Sequence, residues 1–257
     1  MVTINVKYLK LKRCAVIGSI LLLWEFLSRF KILNPTVVPS FSKVLIAIVE
    51  LFNKQNLIGH VGISLYRSLF GFFIAIIIAI PLGIVISISV KEMEECIELL
   101  LDTFSQINPF IVYHLIIIIL GVGEKTQITV ITWTCIWPIL FNTITGVRNI
   151  DSSCIKYGKS FGMNKWNYIK KILIPGALPQ IMYGAKMSLA YSLFMLIAAE
   201  MMGCSSGLGY LITMSQGIYR ISWVIAIVVV IATLGVLMDL AFEFVKNKIT
   251  CLKYKSN

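Results

Sequence analysis

From Leu69 to Val90 the chain reads LFGFFIAIIIAIPLGIVISISV, without one charged side chain. A helix of about 20 apolar residues crosses the hydrocarbon core of a bilayer, and this run is long enough to do so. In lipid every backbone polar group must be satisfied internally, which restricts spanning structures to helices and closed barrels. Comparable runs recur from end to end, at about residues 14–30, 65–90, 126–147, 183–202 and 223–245. The sequence therefore predicts an all-α integral membrane protein, organised as a single transmembrane domain over residues 1–257. Bulk composition agrees, with 58% hydrophobic and only 14% charged residues and a mean hydropathy of +0.88, far from the usage of a soluble domain.

Residues 100–120 are less uniform, because Asp102, Gln106, Asn108, Pro109 and His114 interrupt the apolar pattern. Proline and polar groups are tolerated in a spanning helix where neighbouring helices satisfy the freed backbone. This segment therefore counts as a span and brings the expected number to six. The first run follows Lys7, Lys10, Lys12 and Arg13 and carries Trp24, Glu25 and Arg29 where a signal peptide would place small residues. It reads as an uncleaved helix. Between the first two spans, the apolar stretch Val44–Val49 is bounded by Lys43 and Glu50. It is too short to cross, and is expected along the interface or across the bundle with Ser40 or Ser42 as its cap.

With the N-terminus inside, sixteen of the 23 lysines and arginines fall in or beside inner segments and seven outside. The positive-inside rule then puts both termini in the cytoplasm. The net charge of +11 is accounted for by topology, which makes membrane lipid the partner of these charges and leaves no support for nucleic acid. The longest inner loop, residues 146–182, has its own local signals. Asp151 or Ser152 can cap a short helix running to Phe161, Gly162 suits a left-handed stop, and Asn164 can cap a second helix that Pro175 closes. Trp166, Ile169, Ile172 and Leu173 fall on one face of that second helix. Two readings fit: a helix resting on anionic headgroups, or an elbow presented to a cytoplasmic partner.

The loop resembles the EAA loop of permease subunits of binding-protein-dependent ABC importers, whose pattern is E-A-A-x-x-x-G followed, after nine intervening residues, by I-x-L-P. Gly162, Ile172 and Pro175 stand at the matching spacings, Ile174 replaces the leucine, and Lys156, Tyr157 and Gly158 occupy the E-A-A positions. The segments VPSFSKVL, HVGISLYRSLFGFFIAIIIAIPLGIVI, LGVGEKTQI, FNTITGVRNID and AEMMGCSSGLGYLI are similar, in order, to segments of the permeases that handle nitrate, sulfonates, taurine and the pyrimidine precursor of thiamine. The resemblance implies a type I importer permease fold in a prokaryotic cell membrane, with a coupling helix between spans four and five. It further implies a homodimer, cytoplasmic ABC ATPase subunits that use ATP and Mg, and an extracytoplasmic substrate-binding protein. Coupling to the ATPase would run through Lys156, Tyr157, Gly158, Gly162, Met163, Asn164, Trp166, Ile172 and Pro175, with a base at Lys156 where the family carries an acid. The implied cargo is a small solute, either a nitrate-, sulfonate- or taurine-like anion or the thiamine pyrimidine precursor.

Catalytic patterns do not emerge from the residues. A phosphate-binding loop needs G-x-x-x-x-G-K-[ST], whereas GVGEKT at 121–126 inserts Glu124 between Gly123 and Lys125 and reads as an outer turn. His60 and His114 form no H-E-x-x-H pattern, and the six cysteines form no C-x-x-C pair. No metal or bound cofactor is expected, and the cysteines read as small apolar fillers. Polar groups inside spans are where transport function is sought: Gln106, Asn108, His114, Ser188, Ser192 and Glu200 are candidates for the translocation path.

Each candidate also has a plainer reading. Glu200 and Arg67 lie at similar depth, where they pair or, as the ease of snorkelling favours, reach the interface separately. His114 reads as a satisfied buried ring. Gly184, Ser188 and Ser192 repeat at the spacing of a close helix contact, and Asp239 and Glu243 balance Lys186 and Lys246. Gly203, Ser205, Ser206, Gly207 and Gly209 suggest a flexible outer loop for the substrate-delivering protein to touch. Two other classes of function stay open: a membrane-embedded enzyme such as a lipid-modifying transferase, which would need acids or histidines clustered at membrane depth, and a channel working without ATP.

Overall fold

The computed structural model describes residues 18–19, 22–30, 38–89, 94–151, 153 and 163–255. We number the helices α1 Phe41–Lys54, α2 Leu57–Ser89, α3 Glu94–Ser105, α4 Pro109–Leu120, α5 Glu124–Arg148, α6 Ile174–Met201, α7 Leu208–Gly217 and α8 Ile221–Lys255; residues 22–29 are also helical. Among the described residues four helical bodies are long and apolar enough to cross a membrane: Leu57–Ile88, Glu124–Arg148, Trp166–Met201 and Ile221–Lys248. α3 and α4 add a fifth if taken as one broken span. Of the expected first span, residues 14–30, the structure describes residues 18–19 and 22–30, and these are helical up to residue 29.

α2, α5 and α6 pack around one core that includes Ala75, Ala79, Ile131, Cys135, Ile139, Leu140, Ala185 and Leu196. Small residues allow the close approach. A Cβ at Gly184 would lie 2.6 Å from Asn142 Cβ and 2.7 Å from the Pro138 carbonyl oxygen, so α6 crosses α5 at this distance only with glycine there. Further along the same stripe, Ser188 Oγ donates to the Cys135 carbonyl at 2.8 Å and Ser192 Oγ bonds Ser68 Oγ at 2.8 Å. The spacing read from the sequence is a packing seam.

A second core joins α1, α7 and α8 through Val44, Leu51, Leu211, Trp223 and Ile227. α1 thus packs across the bundle, and Trp223 Nε1 donates to Glu50 at 3.0 Å. Ser40 holds the N-cap position of α1 without a side-chain bond, while Ser42 Oγ donates to Glu25 at 2.8 Å.

Two expectations about proline are overturned. The third span is not one helix: α3 and α4 meet at 80°. Pro109 disfavours helical geometry at Asn108, whose backbone is extended and whose Oδ1 accepts the Phe110 N–H at 2.9 Å, so a new helix begins there. Pro175, conversely, closes nothing. A helical turn at Lys165–Tyr168 passes through a π segment, Ile169–Leu173, into α6. The Ile174 N–H reaches back five residues to the Ile169 carbonyl. The wider turn takes up the register that a residue without an N–H would break, and Pro175 sits in the first turn of α6, where none is needed.

Candidate functional site

The break between α3 and α4 borders a cleft of about 460 Å³ whose other walls are α5 and α6. Ser105, Ile107, Pro109 and Phe110 come from the break, Trp133, Thr134, Trp137 and Asn142 from the middle of α5, and Tyr191 and Phe194 from α6. Irregular backbone at membrane depth persists where protein or a cavity adjoins it, and here it adjoins both. No lining residue is charged. Trp133 and Trp137 meet edge to face with centroids 5.2 Å apart. Two of the lining hydroxyls are turned onto their own helices: Thr134 Oγ1 donates to the Val130 carbonyl at 2.9 Å and Ser105 Oγ to the Asp102 carbonyl at 2.8 Å. Asn142 Nδ2 donates to the Pro138 carbonyl at 2.8 Å, and its Oδ1 accepts from Gln180 at 3.1 Å. The indole N–H groups of Trp133 and Trp137 are buried and have no partner.

Of the path candidates, Gln106 and Asn108 lie in the break, beside the residues that line the cleft, and both are exposed. His114 is exposed as well, its Nδ1 2.7 Å from the Phe110 carbonyl, so the buried ring expected from the sequence is not found. Ser188 and Ser192 face helices, as described above. The aromatic wall was legible only as Trp133, Trp137 and Phe141 recurring every four residues, a stripe that any buried span can carry.

Glu200 lies apart from the cleft, fully buried, and Arg67 Nη1 donates to its Oε1 at 3.1 Å from a side chain only 4% exposed. The expectation that the two reach the interface separately is overturned. Its physical reason is the length of α2, which begins at Leu57 and places Arg67 about 15 Å inside the helix end, beyond easy snorkelling. Ser64 Oγ donates to the same carboxylate at 2.8 Å and accepts the Leu208 N–H at 2.9 Å. The Gly209 N–H donates to Glu200 Oε2 at 2.9 Å. One amide of the first turn of α7, that of Gly209, thus donates to a carboxylate, the arrangement helix N-termini favour.

Arg67 also reaches the Ser206 carbonyl at 3.0 Å, Ser206 Oγ at 3.1 Å and Glu124 at 3.3 Å. The Gly207 N–H donates to His60 Nδ1 at 2.9 Å, which leaves the ring hydrogen on Nε2. The loop expected to be flexible is therefore tied down along its second half. Gly207 has φ +111°, and a Cβ there would overlap the Glu200 carboxylate, so both backbone and space require glycine. Nearby, Cys204 contacts Gln127, and burial pushes its thiol up to about 11. Lower in α6, Lys186 bridges to Asp239 at 3.0 Å and Glu243 at 3.4 Å, as the sequence suggested. Among the described residues no set of three or more His, Cys, Asp or Glu side chains converges as metal ligands do.

Of the coupling candidates, Lys156, Tyr157, Gly158 and Gly162 lie outside the described residues. Met163 and Asn164 are exposed, and the Asn164 carbonyl accepts the Tyr168 N–H at 2.9 Å. Leu173 is buried among Ile84, Val147, Ala177 and Ile181, with Ile169 packed against them. Trp166, expected on that face, is instead 70% exposed, because the π segment between it and Leu173 changes the angular step. Ile172 and Pro175 are half-buried. At the loop's other end Asp151 Oδ1 accepts the Ser153 N–H at 2.9 Å, a capping bond that holds its carboxyl below the usual range.

Comparison with known proteins places this architecture. Residues 79–250 match the family described as binding-protein-dependent transport system inner membrane component. A putative aliphatic sulfonates transport permease of Bacillus subtilis is 27% identical over 238 residues, covering 93% of this chain and 85% of that protein. A putative ABC transporter permease of Methanocaldococcus jannaschii is 29% identical, covering 96% and 93%, and the taurine transport system permease of Escherichia coli is 23% identical, covering 91% and 86%. Among solved structures, an inward-facing MetNI methionine ABC transporter superposes with a TM-score of 0.68 at 18% identity, covering 76% of this chain and 97% of that one. The chain belongs to the family of inner-membrane permease components of binding-protein-dependent ABC transport systems.

Proposed function

We propose that this chain lines the translocation path of an ATP-driven importer, working as a homodimer with both termini in the cytoplasm. The observation that carries the reading is the cleft at mid-span, bordered by a helix break and by the two most closely packed spans, α5 and α6. Cargo passes this cleft, with Gln106 and Asn108 at its edge; Ser188 and Ser192 support the wall behind it, Glu200 serves the path from a distance by holding the loop before α7, and His114 lies exposed on α4. An extracytoplasmic protein delivers a small solute, and the sulfonate and taurine relatives make an anion of that kind one expectation for it. The chain itself binds no cofactor and hydrolyses nothing; ATP and Mg are used by the cytoplasmic partner.

Coupling runs through the loop at residues 146–182. Lys156, Tyr157, Gly158, Gly162 and Met163 contact the ATPase, together with Asn164, Trp166, Ile172 and Pro175 on the way into α6. The exposed Trp166 offers the partner an apolar anchor. The test is purification of the tagged chain from its native membrane in mild detergent, with and without Gly162→Val. A stoichiometric ATPase, lost in the variant, is the expected result. Absence of an ATPase from both samples would overturn the importer reading in favour of a channel.

A further inference from the structure

We infer that His60 is a proton-sensitive latch on the loop between α6 and α7: the neutral ring holds the Gly207 corner against α2, and the protonated ring lets it go. The Gly207 N–H donates to His60 Nδ1 at 2.9 Å. That bond needs the lone pair on Nδ1, whereas an imidazolium carries an N–H at both ring nitrogens. Gly207 is buried, so on protonation its amide faces a second donor and has no acceptor in place of the one lost. Arg67 lies roughly two turns along the same face of α2 and is itself bonded to the loop at Ser206. A second cation at position 60 is repelled by it. Protons have access to the ring. The apolar body of α2 runs for 32 residues, Leu57–Ile88, about 48 Å of helix against a hydrocarbon core of about 30 Å. Its first turn, which follows the charged Lys54, stands in the headgroup region with His60 half-buried there. On the orientation proposed above, with both termini in the cytoplasm, the latch responds to the pH outside the cell.

The chain has two histidines, and they are bonded in opposite senses. His114 Nδ1 lies 2.7 Å from the Phe110 carbonyl, so that nitrogen is the donor and a proton added at Nε2 leaves the bond intact. The remaining ties on the loop run from Leu208 to the Ser64 hydroxyl, from the Arg67 guanidinium to Ser206 and from Gly209 to the Glu200 carboxylate. None of these side-chain types ordinarily changes charge between about pH 5 and 8. The other charged or titratable groups on the elements that meet there are Glu124 of α5, bonded to Arg67, Cys204 in the loop, and Tyr210 of α7, whose ring stacks on the imidazole at 6.0 Å. From α1 come Lys54 and Glu50, the latter bonded to Trp223. The imidazole of His60 is therefore the group in this cluster that titrates in that interval.

The experiment measures amide hydrogen exchange by mass spectrometry on the full chain in lipid nanodiscs, from about pH 5 to about pH 8, with each rate divided by the intrinsic chemical rate at the same pH. Peptides that carry Gly207 should lose protection below about pH 6.5, where a released imidazole takes up its proton. The loss should be up to about tenfold per pH unit, since release binds one proton. His60→Asn offers a carbonyl acceptor near the position of Nδ1 that does not titrate, and its protection should stay level across the range. His114→Gln should lose protection as the unaltered chain does. Level protection in the unaltered chain, an equal loss in His60→Asn, or a loss abolished by His114→Gln would overturn the latch. If His60→Asn does not fold, the unaltered chain and His114→Gln still decide, because together they separate the two histidines. No ATPase enters the measurement and both faces of the nanodisc meet the same buffer. Level protection therefore removes only this inference, and failure to co-purify an ATPase removes only the importer.

Discussion

Replacing Glu200 with alanine strips the acceptor from three donors at once. Arg67 Nη1, Ser64 Oγ and the Gly209 N–H all bond its carboxylate, which is fully buried. Deleting one member of a buried ion pair generally takes about 3–5 kcal/mol, since the other charge is left behind. Here Arg67 keeps the Ser206 carbonyl, Ser206 Oγ and Glu124, which pulls the figure toward the low end. The orphaned Gly209 amide adds about 1–3 kcal/mol in the other direction. We expect a loss of about 4 kcal/mol, on the order of 10 °C in the apparent Tm in detergent for a chain of this size. Glu243→Ala is the control: its carboxylate is 51% exposed in its bridge to Lys186, and such pairs contribute at most about 1 kcal/mol. The double variant Arg67→Met with Glu200→Met should be more stable than the sum of its single changes implies, by roughly 1.5 kcal/mol or more, because neither charge is stranded. A Glu200→Ala midpoint no lower than that of Glu243→Ala, or strictly additive single changes, would refute the claim that the pair holds the outer loop.

Gly184→Val puts branched carbon into the space occupied by Asn142 Cβ and the Pro138 carbonyl; a loss of about 1–3 kcal/mol, or no folded protein, is expected in the same melt. Cys204, whose thiol burial pushes up to about 11, should hold about 100-fold less thiolate at neutral pH than an ordinary cysteine. Its alkylation by a membrane-permeant maleimide should be correspondingly slow, accelerating as pH rises toward 11 and in Glu200→Ala, where the loop is released. Trp166→Ala removes a side chain that is 70% exposed, so the melt should shift by less than about 0.5 kcal/mol while the yield of co-purified ATPase falls.

The membrane class was legible because chain length and bilayer thickness are commensurate: a charge-free run such as Leu69–Val90 has few other fates. Span ends were not legible for the complementary reason. His60, Ser64 and Arg67 break the apolar pattern, and hydropathy alone starts the span near residue 65. The helix begins at Leu57 because Gly207, Leu208 and Glu200 satisfy those polar groups from far along the chain. The two prolines make the same point. Pro109 and Pro175 look alike as local breakers, yet one follows an asparagine that caps a new helix and the other follows a π segment that carries the chain past it. The tryptophans of the cleft were visible as a stripe, but whether a stripe faces a core or a cavity depends on what packs opposite, here the bend at residues 105–109.

Continuity through Pro175 also bears on how a partner's movement would enter the membrane. One helical body joins Trp166, exposed in the loop, to Glu200, buried beneath the outer loop, and the contact at Gly184 leaves α6 no room to slide against α5. Movement at the loop is then either transmitted along α6 or absorbed before it, and the π segment is the place where it would be absorbed. Lys170 and Lys171 lie in that segment with exposed side chains, so the double change Lys170→Gly with Lys171→Gly softens the joint without opening the core. Each glycine should take about 1 kcal/mol from the helix, too little to unfold a chain held by its other contacts. If α6 acts as a stiff lever, ATP-dependent uptake into proteoliposomes should fall severalfold or more while the ATPase still co-purifies. Undiminished uptake with the softened joint would mean that the movement reaches the cleft by another helix.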